Sequence, residues 1–574
     1  MTRAALRGAN EAKLDTEGMH RRVGFFGLLW ASEGSIIGSG WLFGALTAAS
    51  IAGPSVVISW IIATVMVLVL ALVHAELGSL FPVSGGTSRF PHYAFGSLAG
   101  ATFGWFAYIQ AATMAPIEVL ATIQYLSSAE WANGLYNGTT DTLTVAGIVV
   151  AVILMFFFVV VNLVGIRWLA RVNNTLTTAK VLIPTITIVV LLFAHFHSAN
   201  FTAAGGFFVH GDAFKSILIA VPTGGIVFAL TGFEQAVQLG GESSNPKRDL
   251  PRAVVFSIAI GAAIYILVQI AFIGALDPAL LDQVTTWAGL ATAGNNSTLA
   301  ALNAAPFYAV ALSAGVVWLA AILRIDAILS PGGTGLIYVT TTSRISFALS
   351  KNGYLPIIFE KNSQRTKVPT VGVIITALIG LLFLLPFPSW TKLVGVVTSA
   401  TVLMYAGAPL ALGALRLQKP DLPRAYKLPL GRIVAPLAFV FANFIVYWAG
   451  WQTYSTLMLV MVVGLTLIGG CAVFKLNPNK TEIDWGAAVW LFPYLAGMGV
   501  ISYFGGFGKG DIIGGIGIFK NVLIGGNGAL PLYWDLAVLT AFSLLIYFLA
   551  IATRLPSDKV DRYVRDVYPP PTTE

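Results

Sequence analysis

Lysine and carboxylic acid side chains stand inside long apolar runs of this sequence, where an ionisable group is costly enough to be a functional candidate by default. Lys180 falls about seven residues into the run 173–196, roughly 10 Å along a helix from its start. An amine there either snorkels back to the interface along its own stem or takes up and releases a proton within the membrane. Asp326 stands two residues after Arg324 and four before Ser330. That spacing allows a local Arg324–Asp326 ion pair, a pair between Asp326 and Lys180, or a proton-transfer step. Arg324 is alternatively placed to attract an acidic solute. Glu234 follows a glycine-containing turn in the run 215–242, placed to hold a broken helix by hydrogen bonds or to be protonated in a cycle. Glu33 and Glu118 lie within the runs 24–50 and 97–127, where each could join a proton path or pack against polar backbone. This is chemistry of protons and small charged solutes.

Such side chains need elements that keep them out of water, and the composition supplies them. Of 574 residues, 57% are hydrophobic and only 10% charged, against about 25% charged in soluble domains. A water-soluble fold is excluded, because too little polar surface remains to cover it. The 59 glycines fit membrane helices, in which glycine is common. One cysteine, Cys471, excludes a disulfide framework or a Cys-rich metal site and reads as inert packing. Runs of about 20 apolar residues predict an all-α polytopic membrane protein with fourteen transmembrane helices near 24–50, 55–80, 97–127, 143–166, 173–196, 215–242, 252–276, 316–347, 369–387, 390–415, 433–454, 456–475, 487–504 and 532–553. A further apolar stretch at 304–314 is expected as a re-entrant or outer-face helix.

An even number of spans places both termini on one side, and the positive-inside rule selects the cytoplasm. In that orientation only Lys215, Arg324, Lys392, Lys509 and Lys520 fall outside or near the outer face, and all other cations except Lys180 fall inside. The net charge of +8 is then explained without nucleic acid. Residues 1–23 are polar and lack the apolar region of a secretory signal, so they are expected as a cytoplasmic tail. Residues 24–415 are expected as a ten-helix core, 416–432 as a basic, proline-punctuated cytoplasmic loop, 433–553 as four added helices, and 554–574 as a cytoplasmic tail. The outer connection 277–303 is expected to cover a vestibule.

Two of the runs are interrupted. GSIIGSGWLFG (34–44) puts Gly38, Ser39 and Gly40 near the centre of the first, and FALTGFEQAV (228–237) puts Thr231 and Gly232 near the middle of the sixth. Small residues that let helices pack closely explain either break alone. Matched breaks in two oppositely oriented halves point instead to a transporter's binding site. Half-helix N-termini present N–H groups to an anion, and freed carbonyls accept from a cation; an α-amino acid carries both charges. On this reading Gly38, Ser39 and Gly40 take the carboxylate and carbonyls around Phe228 to Thr231 take the amine, with Ile37, Ala229 and Gly232 also in the substrate site. Trp41, Phe228 and Phe233 flank the breaks, as lids or as core.

At these residues the chain resembles the amino acid–polyamine–organocation (APC) family of transporters, over roughly residues 20–430. IIGSGWLFG (36–44) is similar to the family's helix-1 signature, with Trp41 where many members have a smaller aliphatic residue. GFEQAVQLGGESSNPKRDLPRAV (232–254) is the most specific match; NNTLTTAK (173–180) and SRISFALSKNGYLP (343–356) resemble the start of helix 5 and the end of helix 8. The resemblance implies a LeuT-like 5+5 inverted repeat, here 24–196 and 215–415, followed by two helices where this chain has four. It also implies that Lys180 occupies the place of a sodium ion, bridging carbonyls near Ile36 and Ile37 to a helix-8 hydroxyl such as Ser330. Proton coupling through Lys180 follows from that and argues against sodium; Glu234 and Asp326 are the candidate further proton carriers on the residue reading given above. Phe228 resembles a gating aromatic. IDAILSPGGTGLIY (325–338) is similar to a branch of aspartate–proton symporters, which implies an acidic amino acid.

The expected function is therefore secondary active transport of amino acids in a plasma or inner membrane, with an amino acid, protons and the bilayer as partners and no cofactor, metal or nucleic acid. An exchanger and a polyamine carrier are the alternatives; a polyamine has no carboxylate for the helix-1 amides. A membrane enzyme is not expected, since the six histidines form no HExxH and the chain holds no GxSxG or phosphate loop. A channel would not need paired broken helices facing one site.

Overall fold

Each of the fourteen apolar runs folds as helix. The computed structural model describes residues 23–564 apart from 84, 165, 210, 293–295, 364–367, 385–388, 423, 480–481 and 513–520, with residues 166–174 described by backbone only. Residues 1–22 and 565–574 of the expected tails, Lys520, and the side chains of Asn173 and Asn174 lie outside the described residues.

The first run is split into α1 (Phe25–Ile36) and α2 (Ser39–Ala52), followed by α3 (Val56–Leu80) and a short helix α4 (Gly86–Phe95). Then come α5 (Ser97–Leu126), α6 (Val145–Val164) and α7 (Ile166–Ala194). The sixth run breaks into α8 (Ala213–Thr223), α9 (Ile226–Leu230) and α10 (Glu234–Gln238), before α11 (Pro246–Ala275). The stretch at 304–314 is helix α12 (Pro306–Ser313), followed by α13 (Val317–Lys351), α14 (Thr370–Phe383) and α15 (Trp390–Gln418). The added helices are α16 (Gly431–Ala449), α17 (Trp451–Val473), α18 (Leu491–Phe504) and α19 (Trp534–Ala552), and α20 (Ser557–Tyr563) closes the described chain.

Among the described residues, 11 helical stretches are long and apolar enough to cross a membrane. One of them, Ser39–Leu80, is α2 and α3 taken together through the turn at Gly53, and α8 and α14 are shorter than a full crossing. Helices wholly apolar around their circumference have no amphipathic stripe to aim at water. Their lipid-facing sides are therefore bare hydrocarbon, as at Val149, Phe156 and Leu467.

The halves of the two broken helices pack crosswise: α1 lies on α10, and α2 on α9. Around them stand α5, α7, α11, α13 and α15, with α13 running along α5 and α15 packed on both α5 and α16. Small residues permit the close crossings. A side chain at Gly261 would run into Ile36, and one at Gly407 into Phe103 and Pro91. The added helices hold one another by buried polar contacts, Tyr494 to Asn443 (2.8 Å), Asn443 to Ser543 (2.9 Å) and Tyr447 to Asp535 (2.7 Å). They dock on the outside of the core, with the Trp105 indole of α5 donating to the Val460 carbonyl of α17.

Buried ion pairs pin the polar loops. Glu76, fully buried in the last turns of α3, takes Arg416 from the last turn of α15, which runs on past the expected loop start at 416, together with Arg424 and the Leu428 amide (2.7 Å) of the basic loop that follows. The α20 segment is clasped onto α4. Asp484 accepts from Lys559 (2.8 Å) and Tyr563 (2.7 Å), and His92 of α4 lies between Tyr354 and Tyr563. Burial, with Arg89 adding to it, pushes His92 from its ordinary 6.5 down to about 3, and Asp484 opposes the shift only partly. A histidine kept neutral in the folded state stabilises the clasp fully above about pH 6.5, and that contribution is lost as pH falls from there toward about 3. Proteolysis of the α20 segment is thus expected to accelerate on acidification through this window, and to do so less in His92→Gln. Equal acid sensitivity of the two proteins would refute the assignment.

Candidate functional site

The break in the first helix frees backbone groups that need partners, because none can be left bare within a membrane. Ile37 leaves the helix at ψ 87, and Gly38 follows at φ −123, ψ −142. The freed groups are taken up by four different elements. The Ser39 amide donates to the Glu118 carboxylate of α5 (2.8 Å). The Ile36 carbonyl accepts from the Tyr265 hydroxyl of α11 (2.7 Å). The Gly34 carbonyl accepts from the Lys180 ammonium of α7 and from the Thr334 hydroxyl of α13 (3.0 Å). Lys180 in turn donates to Thr334 (2.7 Å), so one ammonium ties α1 to α13.

The expected bridge from helix 1 to helix 8 through Lys180 is therefore present, with two corrections. The carbonyl is that of Gly34 rather than Ile36 or Ile37, and the hydroxyl is that of Thr334 rather than Ser330. Ser330 lies one turn away and donates to Asp326 (2.7 Å). Thr334 reaches the break because it sits in the glycine-rich stretch PGGTG (331–335). A side chain at Gly333 would stand 3.3 Å from the Lys180 nitrogen, and one at Gly335 would overlap Phe158.

Asp326 also departs from expectation. It is buried and accepts from the Trp41 indole of α2 (3.0 Å) as well as from Ser330. It forms an ion pair with neither Arg324 nor Lys180. Arg324 instead lies over the Tyr308 ring of α12, 4.3 Å from its centroid, and donates to that hydroxyl. Two residues along a helix point about 200° apart, which is why Arg324 and Asp326 part company. Trp41 is thus a buried donor whose ring lies tilted against Phe307 (5.2 Å between centroids).

The break in the sixth helix is built around glycine. Gly225 (φ +82) starts α9 beneath the Trp390 ring, and Gly232 (φ +133) ends the unwound turn after Thr231. Thr231 turns its hydroxyl back onto the Phe228 carbonyl (2.6 Å). An amine approaching that carbonyl competes with it. Glu234 closes the turn: its carboxylate accepts from the Gly232 amide (2.8 Å), Tyr338 of α13 (2.9 Å) and Tyr405 of α15 (2.6 Å). With both oxygens so engaged, Glu234 fits the holding role better than the proton-carrying one. Gly40 and Ala229 bring the two breaks together, since a side chain on Gly40 would come within 3.0 Å of Ala229. Phe228 packs edge-on against Trp390 (5.7 Å), and the Trp390 indole donates to the Ser39 hydroxyl (2.9 Å). Phe233 lies below, against Tyr405 (4.8 Å) and His74 (5.4 Å).

The structure thus brings Gly38, Ser39, Gly40, Lys180, Phe228, Ala229, Thr231 and Glu234 into one buried region, and adds Glu118, Tyr265, Thr334, Tyr338, Trp390 and Tyr405 to it. Glu118 and the PGGTG stretch carried a sequence signal. The tyrosines and Trp390 carried none, being lost among 18 tyrosines and 14 tryptophans. Among the described residues no group of three or more His, Cys, Asp or Glu could hold a metal ion.

A helical membrane bundle in which two interrupted helices from different parts of the chain meet at a buried site is the architecture of a secondary carrier. The chain belongs to the amino acid permease family, whose model matches residues 23–468. It is 37% identical over 538 residues to the glutamate/serine transporter AimA of Bacillus subtilis, covering 93% of this chain and 94% of that one. It is 35% identical over 545 residues to the aspartate-proton symporter of the same organism, covering 94% and 98% respectively. The branched-chain amino acid permease BcaP of Bacillus subtilis matches at 27% over 463 residues, 78% of this chain and 92% of that one. This chain is accordingly an integral, multi-pass amino acid transporter.

Proposed function

We propose that the protein is a proton-coupled symporter of an acidic α-amino acid. It works in the plasma or inner membrane with both termini cytoplasmic, fourteen crossings, and residues 24–415 as two inverted repeats around the site. The observation that carries this reading is the Lys180 ammonium bridging Gly34 to Thr334 at the helix-1 break. A fixed cation there does the structural work of a bound metal ion, and unlike a metal ion it can give up a proton. The acidic substrate is supported by the relatives whose names specify glutamate and aspartate. No enzymatic role is assigned to any of these residues.

Glu118 has a particular part in this scheme. It holds the Ser39 amide, one of the donors expected for the substrate carboxylate. A substrate carboxylate arriving at the break displaces Glu118, which then swings toward Lys180. The amine is taken by backbone carbonyls of the α9 turn, and Phe228 with Trp390 closes above it.

Uptake of radiolabelled aspartate into proteoliposomes, with and without an inward proton gradient, tests the proposal. One coupled proton raises accumulation up to about tenfold per unit of pH difference. Uptake that ignores the gradient but needs internal amino acid would establish exchange instead.

A further inference from the structure

We propose that Glu33 is a proton-binding site that latches α1: neutral while α1 is packed, and ionised when α1 swings out into cytoplasmic water. This rests on the carrier reading above, though not on proton coupling. Glu33 is fully buried, and neither of its carboxyl oxygens has a hydrogen-bond partner. Among the described residues no other carboxyl group has both oxygens buried and unpartnered.

The register of α1 explains why nothing reaches it. Trp30 and Gly34 face α7, where their carbonyls accept from Thr177 and Lys180, while Ile36 lies against Gly261 of α11. At about 100° per residue, Glu33 falls between these faces, toward the crevice where α7 meets α11. Among the described side chains, the titratable groups on the elements packed against α1 are committed elsewhere. On α7, Lys180 is held by Gly34 and Thr334, and Arg167 and Arg171 stand about two and a half turns or more nearer the helix start. On α11, Tyr265 donates to Ile36, and Lys247, Arg248, Asp249 and Arg252 lie in the first two turns, far from Gly261. On α13, Asp326 holds Trp41 and Ser330, Tyr338 holds Glu234, Arg344 pairs with Glu242 (2.8 Å), Lys351 pairs with Glu360, and Arg324 goes to Tyr308. On α10, Glu234 is occupied by Gly232, Tyr338 and Tyr405. Glu118 of α5, the other acid near Tyr265, is occupied by Ser39.

An ionised carboxylate without donor or counter-ion does not persist in a low-dielectric interior, so packing α1 requires the proton. When α1 moves, the Glu33 O–H bond breaks, the proton passes to cytoplasmic water, and water solvates the carboxylate. Gly34, the next residue, carries the carbonyl that Lys180 grips, so release of that grip and opening of the crevice are one motion. The exposed conformer binds fewer protons, and its population therefore rises with cytoplasmic pH, by up to about tenfold per unit for one proton.

The test places a cysteine at Ala31, buried on α1, in a Cys471→Ala background, and labels inside-out vesicles with a membrane-impermeant maleimide across a pH series. An exposed control cysteine in place of Lys351 corrects for thiol ionisation. With Glu33 intact, corrected labelling rises with pH; with Glu33→Gln, which is neutral and nearly the same shape, it is flat. Glu33→Asp keeps the acid and retains the slope. Equal pH dependence in wild type and Glu33→Gln overturns the proposal, and so does a flat profile in Glu33→Asp with amino acid counterflow intact. If Glu33→Gln does not fold, the aspartate variant alone decides. Absence of counterflow in the wild type would instead remove the carrier reading on which the latch depends.

Discussion

Lys180→Ala is expected to lower gradient-driven amino acid uptake by about a hundredfold or more while leaving the protein folded in the membrane. The ammonium makes two charge-assisted hydrogen bonds, to the Gly34 carbonyl and the Thr334 hydroxyl. Hydrogen bonds to a charged group contribute about 1.5–3 kcal/mol each, so at least about 3 kcal/mol of the α1–α13 tie is lost. At about 1.4 kcal/mol per factor of ten, that corresponds to about two orders of magnitude in the population of the bridged conformer. The Gly34 carbonyl keeps the Thr334 hydroxyl (3.0 Å), which is why folding survives. Lys180→Met, which retains the bulk without the charge, fails to the same degree. Lys180→Arg is expected to fail as well, because a broad planar guanidinium does not reproduce the compact ammonium that meets the Gly34 carbonyl and the Thr334 hydroxyl at one nitrogen. Gradient-driven uptake by Lys180→Met at the wild-type rate would remove the lysine from the mechanism.

Gly232→Ala is expected to abolish transport and to lower the yield of folded protein sharply. Gly232 adopts φ +133, a region that L-residues avoid at a cost of about 1–3 kcal/mol. A β-carbon there would also stand 2.7 Å from the Ile36 amide nitrogen and 2.9 Å from the Ser35 carbonyl carbon. Both are backbone atoms of α1 that cannot rotate away, and overpacking of this kind costs a further ~1–3 kcal/mol. Gly44→Ala is the control: its nearest neighbours would be carbonyl oxygens at 3.9 Å, an ordinary contact. Size-exclusion profiles and counterflow separate the two outcomes. A Gly232→Ala protein that elutes and exchanges like Gly44→Ala would show that the helix-6 turn needs no glycine.

Most of the fold could be read from the chain. All fourteen apolar runs hold helix, and both interruptions fall where glycine and polar residues crowd an otherwise apolar segment. Hydrocarbon thickness and the cost of unpaired backbone are local constraints, so they leave a local imprint. Lys180 was legible for the same reason, since one charge in a run of about 20 apolar residues is conspicuous. Its partners were less so. Ser330 and Thr334 are one helical turn apart and equally able to accept, and only the approach of α13 to α1 and α7 selects Thr334. Glu118 and Glu33 look alike in sequence, each an acid in an apolar run, yet one holds the Ser39 amide and the other touches no polar partner.

Hydropathy and backbone chemistry act along the chain, so the membrane class, the helix positions, the two breaks and the lysine between them could be read from the residues. Tertiary structure alone decided which carbonyl the lysine grips, that Asp326 answers to Trp41 rather than Arg324, and that Glu234 is clamped by two tyrosines from α13 and α15. Hydrogen bonds act over about 3 Å, and residues as far apart in the chain as Gly34 and Thr334, 300 positions, reach that distance only once the helices have packed.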